Sequence, residues 1–316
     1  MTGQSAVTAR GPRVVALGGG HGLAVALRAI ATYATEVTAV VSVADDGGSS
    51  GRLRRELGVA PPGDLRRCLV ALGDGRDDNV WPKVFEYRFD TGELDGHALG
   101  NLLLVGLQDA LGGLDAALDA AARLLGATGR VRPATTERVV LKAHLGEERV
   151  GEERVVEGQV AVGATTGRIR RVELVPADAP AHPDVLAALA EADQVVLAPG
   201  SLYTSLLPVL AVAELRRAVA ATPGVVVQVC NLGPELPETA GLDALDHLRA
   251  VLDHGGRVDR FLVAAPGELG LDGDRLAVGV PAAGVELVTA ALAGPSGLVH
   301  DARRLAAALS DLLESA

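Results

Sequence analysis

The chain has 316 residues, 48% of them hydrophobic, with 29 basic against 40 acidic side chains and a net charge of −11. That length and apolar content suffice for a full α/β core, and the acidity excludes the dense basic face that a nucleic-acid duplex demands. Two cysteines without CxxC spacing exclude a thiolate zinc site or a disulfide framework, and no uncharged apolar run reaches the roughly 18 residues a membrane helix needs.

Residues 1–12 read as a flexible N-terminus without the apolar core of a secretion signal, and a cytoplasmic protein is expected. Arg13-Val14-Val15-Ala16-Leu17 is a short apolar run that ends in Gly18-Gly19-Gly20-His21-Gly22, after which Leu23, Val25, Leu27 and Ile30 recur at helical spacing. This is strand, glycine-rich turn, helix. A second apolar run, Val37 to Val43, stops at Asp45-Asp46-Gly47-Gly48-Ser49-Ser50-Gly51-Arg52, and helical spacing resumes through Leu53 and again after Pro61-Pro62-Gly63-Asp64. From His97 to Leu125 the pattern is helical with a break near Gly112-Gly113. Arg130 to about Val175 alternates apolar with charged residues at period two, the mark of a small antiparallel insertion. Strands return at Gln194–Ala198, Val225–Cys230 and Phe261–Ala264 with helices between them. The expected fold is α/β: a Rossmann-like, doubly wound, mostly parallel sheet with a small antiparallel β-rich insertion, in one domain spanning residues 1–316.

In such sheets ligands bind at the carboxyl ends of the strands, so the loops after the apolar runs carry the candidates. Gly18, Gly19, Gly20, His21 and Gly22 let backbone approach a ligand and aim helix amides at it, which favours phosphate. The motif is neither a Walker A loop nor a strict G-x-G-x-x-G, since Leu23 holds the last glycine position. Asp45 and Asp46 end the second strand, where an acidic residue accepts ribose hydroxyls, and paired carboxylates are also suited to Mg2+. Helix capping by Ser50 or Asp46 is the plainer alternative. Arg52, then Asp64 with Arg66 and Arg67, lie near a helix start, where guanidinium groups form bidentate contacts to diphosphate or carboxylate; solvated surface pairs are the competing reading. His97 and Asn101, four apart, share a helix face. Gly200-Ser201-Leu202-Tyr203-Thr204-Ser205 offers hydroxyls and amides for a second anion or sugar site, without the spacing of a serine-hydrolase elbow, and Asn231 follows a strand end.

The runs Val14–Leu23, Ala44–Arg54, Pro61–Arg66, Tyr87-Arg88-Phe89, Gly96–Leu103 and Pro199–Ser205, in this order, resemble the YvcK-like proteins of the CofD superfamily, and Asn231, Glu238-Thr239 and Asp246-His247 continue the likeness. The resemblance implies a UDP-sugar-binding regulatory protein for a ligand of the UDP-N-acetylglucosamine type. It also implies a protein partner in cell-wall metabolism and roles in cell shape, peptidoglycan precursor supply and growth on gluconeogenic carbon. No catalytic residue is assigned. The nucleotide-sugar set it suggests is Gly18, Gly19, Gly20, His21, Gly22, Asp45, Asp46, Ser49, Ser50, Arg52, Asp64, Arg66, His97, Asn101, Gly200, Ser201, Tyr203, Thr204 and Asn231. Its enzyme branch implies the alternative of a 2-phospho-L-lactate transferase acting on a deazaflavin precursor, with Mg2+ at Asp45 and Asp46. A homo-oligomer is left open. His21 departs from the resemblance, standing where those proteins carry Thr or Ser.

Overall fold

The computed structural model describes residues 11–146, 154–268, 282 and 284–314; the expected flexible stretch at 1–12 lies almost wholly outside them. Among the described residues, ten strands form two sheets. Seven of them, β1 (Arg13–Gly18), β2 (Glu36–Val41), β3 (Arg130–Pro133), β7 (Gln194–Leu197), β8 (Val225–Val229), β9 (Arg260–Ala264) and β10 (Glu286–Ala290), run parallel in the order β10-β9-β8-β7-β1-β2-β3. The other three, β4 (Val140–Gly146), β5 (Arg154–Glu157) and β6 (Arg168–Val175), form an antiparallel sheet in the order β5-β4-β6. The fold is the Rossmann-like α/β class expected, with one boundary moved. The period-two pattern from Arg130 first builds β3, an edge strand of the parallel sheet, so the separate sheet begins only at Val140.

Strand β1 shows why the sheet is covered on both faces. Side chains alternate along a strand, and here both sets are apolar: Val15 and Leu17 enter one core, Val14 and Ala16 the other. The first core is closed by the apolar face of the antiparallel sheet, including Leu141, Ala143, Ile169 and Val172. In the second, helix Gly20–Ile30 buries Leu23, Leu27 and Ile30 and lies against helices Pro62–Ala71 and Ala302–Glu314. Each of these fully buried side chains contributes roughly 1.5–3 kcal/mol. The helical stretch predicted from His97 to Leu125 is two helices, Leu99–Leu111 and Leu114–Leu125, parted at Gly112, whose left-handed backbone (φ 78°) ends the first. No helix among the described residues is long and apolar enough to cross a membrane.

Strand order reverses at β1, which pairs with β2 on one side and β7 on the other. The chain winds outward from this point in both directions, and a crevice opens between the loops that follow β1 and β7.

Candidate functional site

The two loops touch. A Cβ on Gly22 would stand 1.9 Å from the carbonyl oxygen of Pro199, so glycine is what lets the turn after β1 lie against the turn after β7. A cavity opens on each side of this contact.

On one side is a polar cleft of ≈ 300 Å³ whose walls include Gly20, Asp45, Asp64, Arg66, Arg67 and Ser201. Asp64 accepts the N–H of Gly20 through Oδ2 at 2.8 Å, while its Oδ1 pairs with the Arg67 guanidinium. The first amide of helix Gly20–Ile30 is therefore held by a carboxylate of the chain itself. Asp45 accepts the Gly47 N–H at 2.9 Å, and burial, reinforced by the nearby Asp64 charge, holds its pKa above the usual carboxylate value. Ser50 Oγ accepts the Gly63 N–H at 3.0 Å, tying helix Gly48–Leu57 to the start of helix Pro62–Ala71. Arg66 is buried, donates from Nη1 to the Phe85 carbonyl at 3.0 Å, and has no partner for Nε among the described residues. Burial, then repulsion from Arg67, pushes its pKa down to about 10, which leaves it charged.

Behind the wall of the cleft, Ser49 Oγ lies 2.9 Å from His97 Nδ1 and receives the Asn101 Nδ2 donor at 3.0 Å, all three residues being buried. Because Asn101 donates to the hydroxyl oxygen, the hydroxyl proton is free to go to His97. Burial, with Arg52 second, lowers the His97 pKa, which suits a neutral ring that accepts it. His97 thus reaches the cleft through Ser49, and Asn101 lines it directly.

On the other side is a groove of ≈ 410 Å³ between His21, Gly22 and Val25, the segment Asn231–Glu235, and Gly297–His300. Its outer wall is apolar: Leu298 is 84% exposed and Val299 52%. Asn231 gives both ends of its amide to one residue, accepting the Gly200 N–H at 2.8 Å and donating to the Gly200 carbonyl at 2.9 Å. Burial, with Arg67 second, lowers the His21 pKa.

The expected set therefore divides. Gly20, Asp45, Ser49, Ser50, Asp64, Arg66, Asn101 and Ser201 meet at the cleft, and His21, Gly22, Gly200 and Asn231 at the groove. Gly18 and Gly19 contribute backbone only, and a Cβ on Gly19 would crowd Asp64 at 2.7 Å. Four residues turn elsewhere. Asp46 turns its carboxylate to the N–H groups of Gln159 and Val160, at 3.1 and 2.9 Å, and so caps the short helix Gln159–Gly163 instead of joining Asp45 around Mg2+. Arg52 is drawn outward to the carbonyls of Asp95 and Glu93. Tyr203 and Thr204 belong to a π-helical turn, Leu202–Leu206, and face Glu238: its Oε1 accepts the Tyr203 N–H at 3.2 Å and its Oε2 the Thr204 hydroxyl at 3.0 Å. Burial raises the Glu238 pKa to about 7. No group of three or more His, Cys, Asp or Glu side chains among the described residues is arranged to hold a metal ion.

Sequence reasoning missed Arg88 and Gln159 in the cleft and His300 in the groove, whereas Arg67 and Ser205 stood among the residues it offered for an anion. Arg88 stood inside a motif already singled out. Gln159 and His300 carried no local signal, because the fold alone brings them to the crevice.

The sequence model of the CofD family, described as 2-phospho-L-lactate transferase CofD, matches residues 14–271. A Mycobacterium leprae protein is 42% identical over 307 residues, covering 94% of this chain and 85% of its own length. The gluconeogenesis factor of Bacillus subtilis is 38% identical over 255 residues, covering 80% of this chain and 78% of that protein. In other relatives the chain spans about half the length, 52% for one from Nostoc. The crystal structure of a UPF0052 family member from Bacillus halodurans superposes with a TM-score of 0.83 at 34% identity, covering 94% of this chain and 98% of that one.

Proposed function

This chain belongs to the CofD family and, within it, to the gluconeogenesis factors, and from that premise we propose that it binds a nucleotide-sugar of the UDP-N-acetylglucosamine type across the β1–β7 crevice. The observation that carries the reading is the pairing of two unlike cavities at one loop contact. The groove, with its apolar wall, suits a base. The glycine turn suits a diphosphate, flanked by the guanidinium groups of Arg66 and Arg67. Beyond it, Asp45, Ser49 and Asn101 offer the acceptors and donors that sugar hydroxyls require.

On this reading the protein acts as a single cytoplasmic domain whose occupancy a partner in cell-wall metabolism senses, linking precursor supply to cell shape and to growth on gluconeogenic carbon. Calorimetry with UDP-N-acetylglucosamine tests it: one saturable site is expected, and absence of heat and of thermal shift at millimolar ligand sinks the reading. One observation favours a second function, transfer of a 2-phospholactyl group to a deazaflavin precursor. Asp45 and Asp64 both line the cleft, where together they would hold the Mg2+ that neutralises charge on a leaving nucleotide phosphate. Turnover with a guanylylated donor that disappears in Asp45→Asn would replace the first reading with this one.

A further inference from the structure

One wall of the groove is a histidine fixed at two points. The backbone at His300 pairs with Ala293 as an antiparallel bridge, and the neighbouring Gly294 N–H donates to the Val299 carbonyl at 2.8 Å. The ring is anchored as well, with Nε2 3.1 Å from the carbonyl oxygen of Cys230, just past the end of β8. A carbonyl only accepts, so Nε2 carries the proton and donates it. Burial holds the pKa of His300 below the ordinary histidine value, so near neutral pH the ring carries one proton. Nδ1 is then a bare lone pair. It has no hydrogen bond to the described residues, on a side chain that lines the groove beside Leu298 and Val299.

We infer that His300 selects the base: with Nδ1 as acceptor, the groove takes a ring that presents an imino N–H, as uracil and guanine do, and rejects cytosine and adenine, whose matching nitrogen is itself a lone pair. The inference rests on the nucleotide-binding reading above. Phosphate contacts are the same for every base, so discrimination belongs to the groove and not to the cleft. Asn231 does not supply it: after Gly200 takes one bond at each end of its amide, one N–H and one lone pair remain, which suit either edge of a base.

The test is isothermal calorimetry near neutral pH with UDP, CDP and N3-methyl-UDP. UDP is expected to bind at least about tenfold more tightly than either of the others, because CDP opposes one lone pair with another and the methyl group replaces the imino hydrogen. In His300→Phe, which keeps a ring in the wall, the UDP-to-CDP ratio is expected to fall to within about twofold. Should that variant fail to fold, the N3-methyl comparison on the unaltered protein decides alone. Equal affinity for UDP and N3-methyl-UDP, or full discrimination retained in a folded His300→Phe, overturns the inference and leaves nucleotide binding standing. Binding of none of the three probes overturns both.

Discussion

The cleft and the groove share one pair of loops but use their polar groups differently. In the cleft, polar side chains hold one another and the glycine turn: Asp64 takes the Gly20 amide and Arg67, and Ser49 joins His97 to Asn101. In the groove they hold backbone, Asn231 at Gly200 and His300 at Cys230, and the outer wall of Leu298 and Val299 is apolar. A ligand entering the cleft must exchange existing bonds for its own, whereas one entering the groove breaks none and gains by burying the apolar wall. The groove should therefore supply affinity, and the cleft should respond to the charge and hydroxyl pattern of what arrives.

The largest expected effect removes the contact on which both cavities depend. Gly22→Ala sets a Cβ against the Pro199 carbonyl, where backbone and not a flexible side chain must yield. A loss of about 3 kcal/mol or more in denaturant unfolding is expected, with ligand binding lost on both sides.

Next comes the support behind the cleft. Glu238 holds the π-helical turn whose Ser205, with Ser201 just before it, lines the cleft. Its folded pKa of about 7 lies above the ordinary 4.5, so folding favours the protonated acid. The associated stability is complete below pH 4.5 and is lost as pH rises through 7. Relative to wild type, Glu238→Gln should gain about 1–3 kcal/mol between pH 5 and pH 8, measured by urea unfolding at each. A flat difference would mean that the carboxylate is stabilised by its two donors as well as it is by water.

Asn231→Ala acts on the groove side. It unbonds the Gly200 N–H and carbonyl together and should cost about 2 kcal/mol, with the loop after β7 the first segment to exchange its amides. Smallest is Arg52→Ala. Its guanidinium serves two loop carbonyls at the surface, so stability should stay within about 0.5 kcal/mol and nucleotide affinity within about twofold. A tenfold loss of affinity would return Arg52 to the cleft.

These variants also mark how far the sequence could be read. The strand-turn-helix rhythm around Gly18–Gly22, the acidic loop after Val43 and the turn after Leu197 are local patterns, legible because each is set by residues within one turn of the chain. What escaped was which way the side chains face. Asp45 and Asp46 are neighbours with the same chemistry, yet one lines the cleft and the other caps a helix from the antiparallel insertion, over 100 residues away. Asp64 looked like a ligand contact, and its partner at the Gly20 amide is 44 residues earlier. Tyr203 and Thr204 share a motif with Ser201 and Ser205, but the π-helical turn sends them to the opposite side, toward Glu238 in a separate segment. Fold and loops are local properties; the assignment of a side chain to a cavity depends on contacts between distant segments.

The match to the family's shared sequence pattern ends at residue 271, whereas the outer wall of the groove, Gly297–His300, comes after it. The crevice is thus assembled from two parts of the chain, the sheet with its two central loops and a later segment that supplies one face. A change of ligand then needs only a few altered residues in that segment, with the sheet and its loops left as they are. Grafting residues 297–300 from a relative onto this chain tests this.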